Sequence, residues 1–177
     1  YEMDSSASTS GRTEYEYDEY GNVIAVTQYE GNSAYISAKI DYVPNYEKHI
    51  LNLPSRILVK DKDGNTVALR EGEYNTEGSL ICLKEYSSQG DFLKTKIGYD
   101  GWGNISVITY PSGVSTEYKY DQENNMLPES ISQVSKDGEY LTGIIGYNRF
   151  MQKEEETDCN GNSFVYKYDP WLRISEI

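Results

Sequence analysis

Few residues in this chain are of a type that carries out reactions, and their spacing argues against each reaction they suggest. His49 is the single histidine. A histidine base must stand beside its nucleophile, and a two-histidine metal site needs a second imidazole, so His49 reads as a solvated loop residue. Asp61-Lys62-Asp63-Gly64-Asn65 places oxygens at the first, third and fifth positions of an EF-hand-like loop. The glycine due at the sixth position is Thr66 and the bidentate glutamate due at the twelfth is Gly72. A hairpin turn is the better reading, and no metal site is predicted. Glu154-Glu155-Glu156 and Asp158 resemble paired carboxylates. On a strand, however, only Glu154 and Glu156 share a side, and no apolar pocket is evident to raise a carboxyl pKa. Cys82 lies in the apolar run Leu80-Ile81-Cys82-Leu83 and Cys159 lies in a turn, without metal-binding spacing. No catalytic residue and no cofactor is therefore predicted.

Aromatic residues are the one class left that suggests binding. Tyr20, Trp102, Phe150 and Trp171 each stand three residues after a tyrosine: Tyr17, Tyr99, Tyr147 and Tyr168. Exposed rings in turns can stack on sugars or peptides. The competing reading folds them over the end of a sheet as a seal.

The elements that would position these rings are short strands. Tyr99-Asp100-Gly101-Trp102-Gly103-Asn104 concentrates turn residues. Ile105 to Tyr110 is rich in β-branched and aromatic residues suited to a pleated surface, and Pro111-Ser112-Gly113 turns the chain again. Val114, Thr116, Tyr118 and Tyr120 then alternate with Ser115, Glu117 and Lys119, the period of a strand with one wetter face. The same punctuation recurs at Tyr17-Asp18, Tyr74-Asn75, Tyr120-Asp121, Tyr147-Asn148 and Tyr168-Asp169, with Asp41-Tyr42 near the middle of the long first interval. Glycine stands four after the tyrosine at Gly21, Gly78 and Gly103; Asn124, Met151 and Leu172 hold that place later, so the pattern decays toward the C-terminus. A second series of turns falls between, as expected for an antiparallel meander of about 12–14 short strands in a twisted, curled all-β sheet. Val43 to His49 reads as an irregular segment. Leu53-Pro54 and Leu127-Pro128 read as strand starts, where proline loses no ladder bond. Gly143 and Gly146 mark candidate bulges, Met151 to Glu156 reads as a solvated edge segment, and Phe164 to Tyr168 as one strand. With Tyr at 18 of 177 residues and apolar content of 37%, tyrosine rings laddered across strands are expected in place of a thick aliphatic core.

Tyr15-Glu16-Tyr17-Asp18-Glu19-Tyr20-Gly21-Asn22-Val23 resembles the signature of the YD-repeat family, also called rearrangement-hotspot repeats, and Tyr118 to Asp121 and Tyr166 to Asp169 resemble its first half. The resemblance spans about residues 13–177. It implies a continuous β-strip, which in bacterial toxin complexes spirals into a shell around an effector. Asp169-Pro170-Trp171-Leu172 lacks the pattern of the self-cleaving members, so no autoproteolytic role carries over.

The formal charge of −13 disfavours nucleic acid and anionic lipid as partners. No apolar run is long enough to cross a bilayer as a helix. Residues 1–12, with Ser5 to Gly11, read as a flexible tether, and 13–177 as a single YD-repeat domain. Such a tether, together with the resemblance, implies an exported bacterial protein of the envelope or surface, with lipid anchoring through a removed signal as one route. The leading functional expectation is a noncatalytic scaffold packing with further repeats. The alternatives are a glycan- or protein-recognition module and a fragment of a toxin-enclosing shell.

Overall fold

The computed structural model describes residues 11–87, 90–138 and 140–177. Among these residues there is no helix, and strands succeed one another at short intervals. Thirteen strands are hydrogen-bonded antiparallel in strict chain order, and the last two form a separate hairpin. The chain divides into two compact units, one ending at Lys94 and the other starting at Thr95.

The first unit holds β1 (Gly11–Tyr17), β2 (Val23–Glu30), β3 (Ser33–Asn45), β4 (Ile50–Asp61), β5 (Thr66–Tyr74) and β6 (Leu80–Tyr86). β7 (Phe92–Tyr99) runs across the division. The second unit continues with β8 (Ile105–Thr109), β9 (Ser115–Tyr120), β10 (Pro128–Val134), β11 (Tyr140–Tyr147), β12 (Lys153–Thr157) and β13 (Ser163–Val165). The separate hairpin is β14 (Lys167–Tyr168) with β15 (Ile174–Glu176). The all-β meander expected from the sequence is therefore the fold that forms.

Several expectations of detail are corrected. β1 begins at Gly11, so strand structure enters the segment read as a tether, whose first ten residues lie outside the described ones. Val43, Pro44 and Asn45 continue β3, leaving only 46–49 as a turn. Leu53-Pro54 lies inside β4, at a register shift, whereas Pro128 does open β10. Proline fits both places for one reason, since a bulge, like a strand start, leaves its missing N–H unneeded. A shift falls at Gly146, but Gly143 pairs regularly with Ile131. Lys153–Thr157 is no edge, because β12 lies between β11 and β13. Phe164 to Tyr168 is broken at Tyr166, whose N–H leaves the ladder run to bond the Glu154 carbonyl at 2.9 Å.

Only Cys82, Thr116 and Ser132 are buried among the described residues. Most strand residues are half-covered on both faces, as a single layer with little aliphatic material requires. Cross-strand pairs such as Lys84 with Glu73 (2.6 Å) and Arg70 with Glu85 (2.8 Å) lie along β5 and β6, each exposed enough that its contribution is small.

Candidate functional site

The Tyr-Asp turns are the most elaborated feature of the chain. At Asp18 the backbone N–H donates to the Asn22 carbonyl (3.0 Å) and the Gly21 N–H donates to the Asp18 carbonyl (3.1 Å). The Asp18 carboxylate accepts the N–H groups of Tyr20 (2.9 Å) and Asn22 (2.8 Å) and the Asn22 side-chain amide (2.9 Å). One side chain thus satisfies three donors within five residues, which is why Asp and Asn are favoured here. Asp100 and Asp169 repeat the pattern, with Asn104 and Arg173 as the side-chain donors, and Asn75 and Asn148 repeat its two backbone bonds. At Asp18 and Asp100 burial works against the charge, but bonds from the side chain and backbone of Asn22 and Asn104 outweigh it and hold both carboxyls below their ordinary range. At Asp121 the Leu127 N–H, with those of Asn124 and Met126, lowers the carboxyl to about 2.

The fading glycine position is kept by the backbone. Met151 (φ 61°) and Leu172 (φ 63°) adopt the left-handed conformation that Gly21 (φ 84°) holds in its own turn. Their turn bonds match: Met151 N–H to the Asn148 carbonyl and Leu172 N–H to the Asp169 carbonyl, each 2.9 Å. At Asp121 the turn closes on Leu127, two residues later, and the left-handed residue is Asn125 rather than Asn124.

Beyond each turn the returning strand carries one extra residue. Tyr17 pairs with Val23 while Glu16 pairs with Ala25, leaving Ile24 unpaired. The same insertion puts Ser55, Ile81, Ser106, Glu129, Glu154 and Ser175 out of register opposite Tyr42, Tyr74, Tyr99, Tyr120, Tyr147 and Tyr168. A bulge disrupts the ladder locally, and a tyrosine from the next Tyr-Asp strand supplies a bond there. Tyr42 donates its hydroxyl to the Val23 carbonyl (2.9 Å) and Tyr74 to Pro54 (2.9 Å). In the second unit Tyr120 donates to Ile105 (2.9 Å), Tyr147 to Pro128 (3.1 Å) and Tyr168 to Lys153 (2.6 Å). Each acceptor is the residue just before a bulge. A second lateral bond runs forward. Asn22 reaches the Leu51 carbonyl, Asn45 that of Thr76, Asn104 that of Asn125, and Gln152 that of Leu172, at 2.7–3.0 Å.

The ring ladder expected from the sequence takes a different form. The ring pairs among the described residues are Tyr15 with Tyr17 on one strand and Tyr86 with Phe92. Repeat tyrosines join strands through hydroxyl and carbonyl instead of ring on ring. The bulge determines this, because it leaves a backbone oxygen within reach of a phenol. The amide four residues after the Asp or Asn does not announce these lateral bonds in the sequence, since Asn65 and Asn162 hold the same place and bond only Asp61 and Asp158.

The predicted aromatics all occupy the third position of their turns and are exposed: Tyr20 at 48%, Trp102 at 75%, Phe150 at 52% and Trp171 at 80%. The Tyr20 phenol is pushed up to about 12, first by a hydrogen bond with Tyr46 and then by the charge of Glu19. His49 sits at positive φ in the 46–49 turn, its N–H on the Tyr46 carbonyl (3.3 Å). The Asp61 carboxylate is occupied by Asp63 N–H, Asn65 N–H and the Asn65 amide, so this segment is a hairpin turn. Glu154 is the bulge residue, and Glu156 accepts from Lys153 (2.8 Å) and Tyr166 (3.0 Å), which hold its carboxyl low. Cys82 and Cys159 are both free, the first buried and the second exposed.

Residues 99–139 match the RHS Repeat family model, in agreement with the YD-repeat resemblance. Comparison with curated proteins gave no match. Among solved structures, the fold is similar to that of the TcdB2-TccC3 crystal structure (TM-score 0.72, 13% identity, covering 92% of this chain and 9% of that one). It is also similar to the Photorhabdus luminescens Tc holotoxin pore (TM-score 0.67, 14% identity, 94% of this chain and 9% of that one). The chain thus spans about a tenth of the length of the toxin-complex chains whose fold it shares.

Proposed function

We propose that this RHS-repeat chain is a noncatalytic stretch of β-wall, exported by a bacterium to its envelope or surface, whose work is to hold shape. The observation that carries this reading is the repeated coupling of one hairpin to the next. Five carbonyls beside bulges, those of Val23, Pro54, Ile105, Pro128 and Lys153, each take a tyrosine hydroxyl, and turn amides reach forward to a neighbouring backbone. Bonds of this kind fix the spacing of successive hairpins. The structural likeness to parts of toxin-complex chains supports a place within a longer wall, and no helix among the described residues is long and apolar enough to cross a membrane.

Two measurements test it. Thermal unfolding followed by circular dichroism should show a cooperative β transition that falls when Tyr74 and Tyr147 are replaced by Phe. A panel of ester, peptide, glycoside and phosphodiester substrates should show no turnover above blank. Hydrolysis abolished by His49→Ala or Glu156→Gln would overturn the noncatalytic reading.

A further inference from the structure

In the second unit two Tyr-Asp turns carry a large apolar pair where other turns of the same geometry carry a polar residue and glycine. The pairs are Phe150-Met151 and Trp171-Leu172; their counterparts are Ser112-Gly113 and Asn160-Gly161. The shared backbone bonds show that the turn itself asks for none of these four side chains. Met151 and Leu172 moreover hold a conformation that L side chains rarely adopt, and all four are exposed. Strain together with exposed apolar surface points to a use outside the turn.

The four side chains belong to one stretch of edge. Gln152 bonds the Leu172 carbonyl, joining the two turns. Met151 also lines a groove of about 790 Å³ beside the Asp121 turn, with Ile144, Tyr147 and the carboxylates Glu123, Glu129 and Glu155. None of those three carboxylates has an ion-pair partner among the described residues. Arg173 is held on Asp169 at 2.7 Å. Among the described residues Arg149 is the one cation lining the groove and stands over the Phe150 ring at 4.6 Å, leaving the three carboxylates in excess. That stack shows that the ring accepts a guanidinium. We infer that this edge docks an extended segment of another protein whose Lys or Arg side chains alternate with apolar ones. The cations would meet the groove carboxylates, and the apolar side chains would cover Met151, Trp171 and Leu172. Charge selects this occupant, because a second copy of a −13 chain and an anionic membrane are both repelled.

The test uses the whole chain carrying Trp102→Phe, so that Trp171 is the sole indole. Its emission is monitored against a short alternating Lys/Leu peptide, the matching Glu/Leu peptide and phosphatidylcholine vesicles. A saturable blue shift with the Lys/Leu peptide alone, weakened at about 0.5 M salt, is the expected result. Met151→Gly with Leu172→Gly should raise Tm by relieving the backbone while weakening that binding roughly tenfold, so loss of fold cannot imitate the outcome. Unchanged binding in the double variant, an equal response to the Glu/Leu peptide or the vesicles, or a concentration-dependent dimer would overturn the inference. A cooperatively melting protein that ignores the peptide would remove the docking edge and leave the scaffold reading standing.

Discussion

The turn at Asp61 and the turn at Asp18 are chemically the same object. Each closes with an N–H to carbonyl bond of 3.0 Å between its first and fifth residues, and each lends a carboxylate to the same three donors. Their reach into the rest of the sheet is different. Asn22 also bonds the Leu51 carbonyl, and Tyr42 bonds the carbonyl just past the turn, at Val23. Asn65 reaches no further than Asp61. One set of turns therefore only reverses the chain, while the other also ties each hairpin to its neighbour. The tyrosines divide in the same way. Tyr74, Tyr120 and Tyr147 are half-buried and bond backbone, whereas Tyr29 and Tyr86 donate to the carboxylates of Glu14 and Glu71.

This contrast can be broken experimentally. The largest effect is expected at Gly78, where an added Cβ would stand 2.6 Å from the Ile50 Cδ1 at φ +86°. Gly78→Ala should cost about 2–3 kcal/mol, against about 1 kcal/mol for Gly161→Ala, which has open space in its intervening turn. Urea unfolding of the two variants measures the difference. Next in size, Tyr147→Phe should cost about 1–2 kcal/mol by leaving the Pro128 carbonyl without its hydroxyl, while Tyr29→Phe should leave the midpoint unchanged. Equal losses would erase the distinction between the two kinds of tyrosine. In the opposite direction, Met151→Gly should add about 1 kcal/mol by removing a side chain from a left-handed residue.

The smallest effect is read from the acid limb of the stability profile. Asp121 is held at about 2 by its backbone donors. A carboxyl lowered in the folded state contributes stability that is complete above the unfolded value, about 3.9, and is lost as pH falls through the folded one. Asp121→Asn should therefore flatten the stability profile between about pH 4 and 2, and at neutral pH it should lose the charge-dependent part of that stability while an amide oxygen still accepts the N–H groups, as Asn75 and Asn148 do. An acid limb that keeps its wild-type slope in the variant would remove Asp121 as its source.

Turn positions and the all-β class were legible in the residues, because an Asp or Asn that satisfies its own turn acts across only five positions. Ile105–Thr109 and Ser115–Tyr120 emerge as strands from composition and punctuation alone. The decay at Met151 and Leu172 was misleading, since a φ above zero is invisible once glycine is gone. Bulges were equally hidden: an extra residue such as Ser106 or Glu154 leaves no mark in a period of two that resumes one step later.

By itself, then, the sequence determined where this chain turns and that it pairs with its own neighbours, both consequences of forces acting over a few residues. Only the tertiary structure decided which carbonyl each tyrosine bonds and which turns are held to one another. Those partners lie 15 to 31 residues apart, and they meet only after the inserted residue has shifted the register of the strand between them.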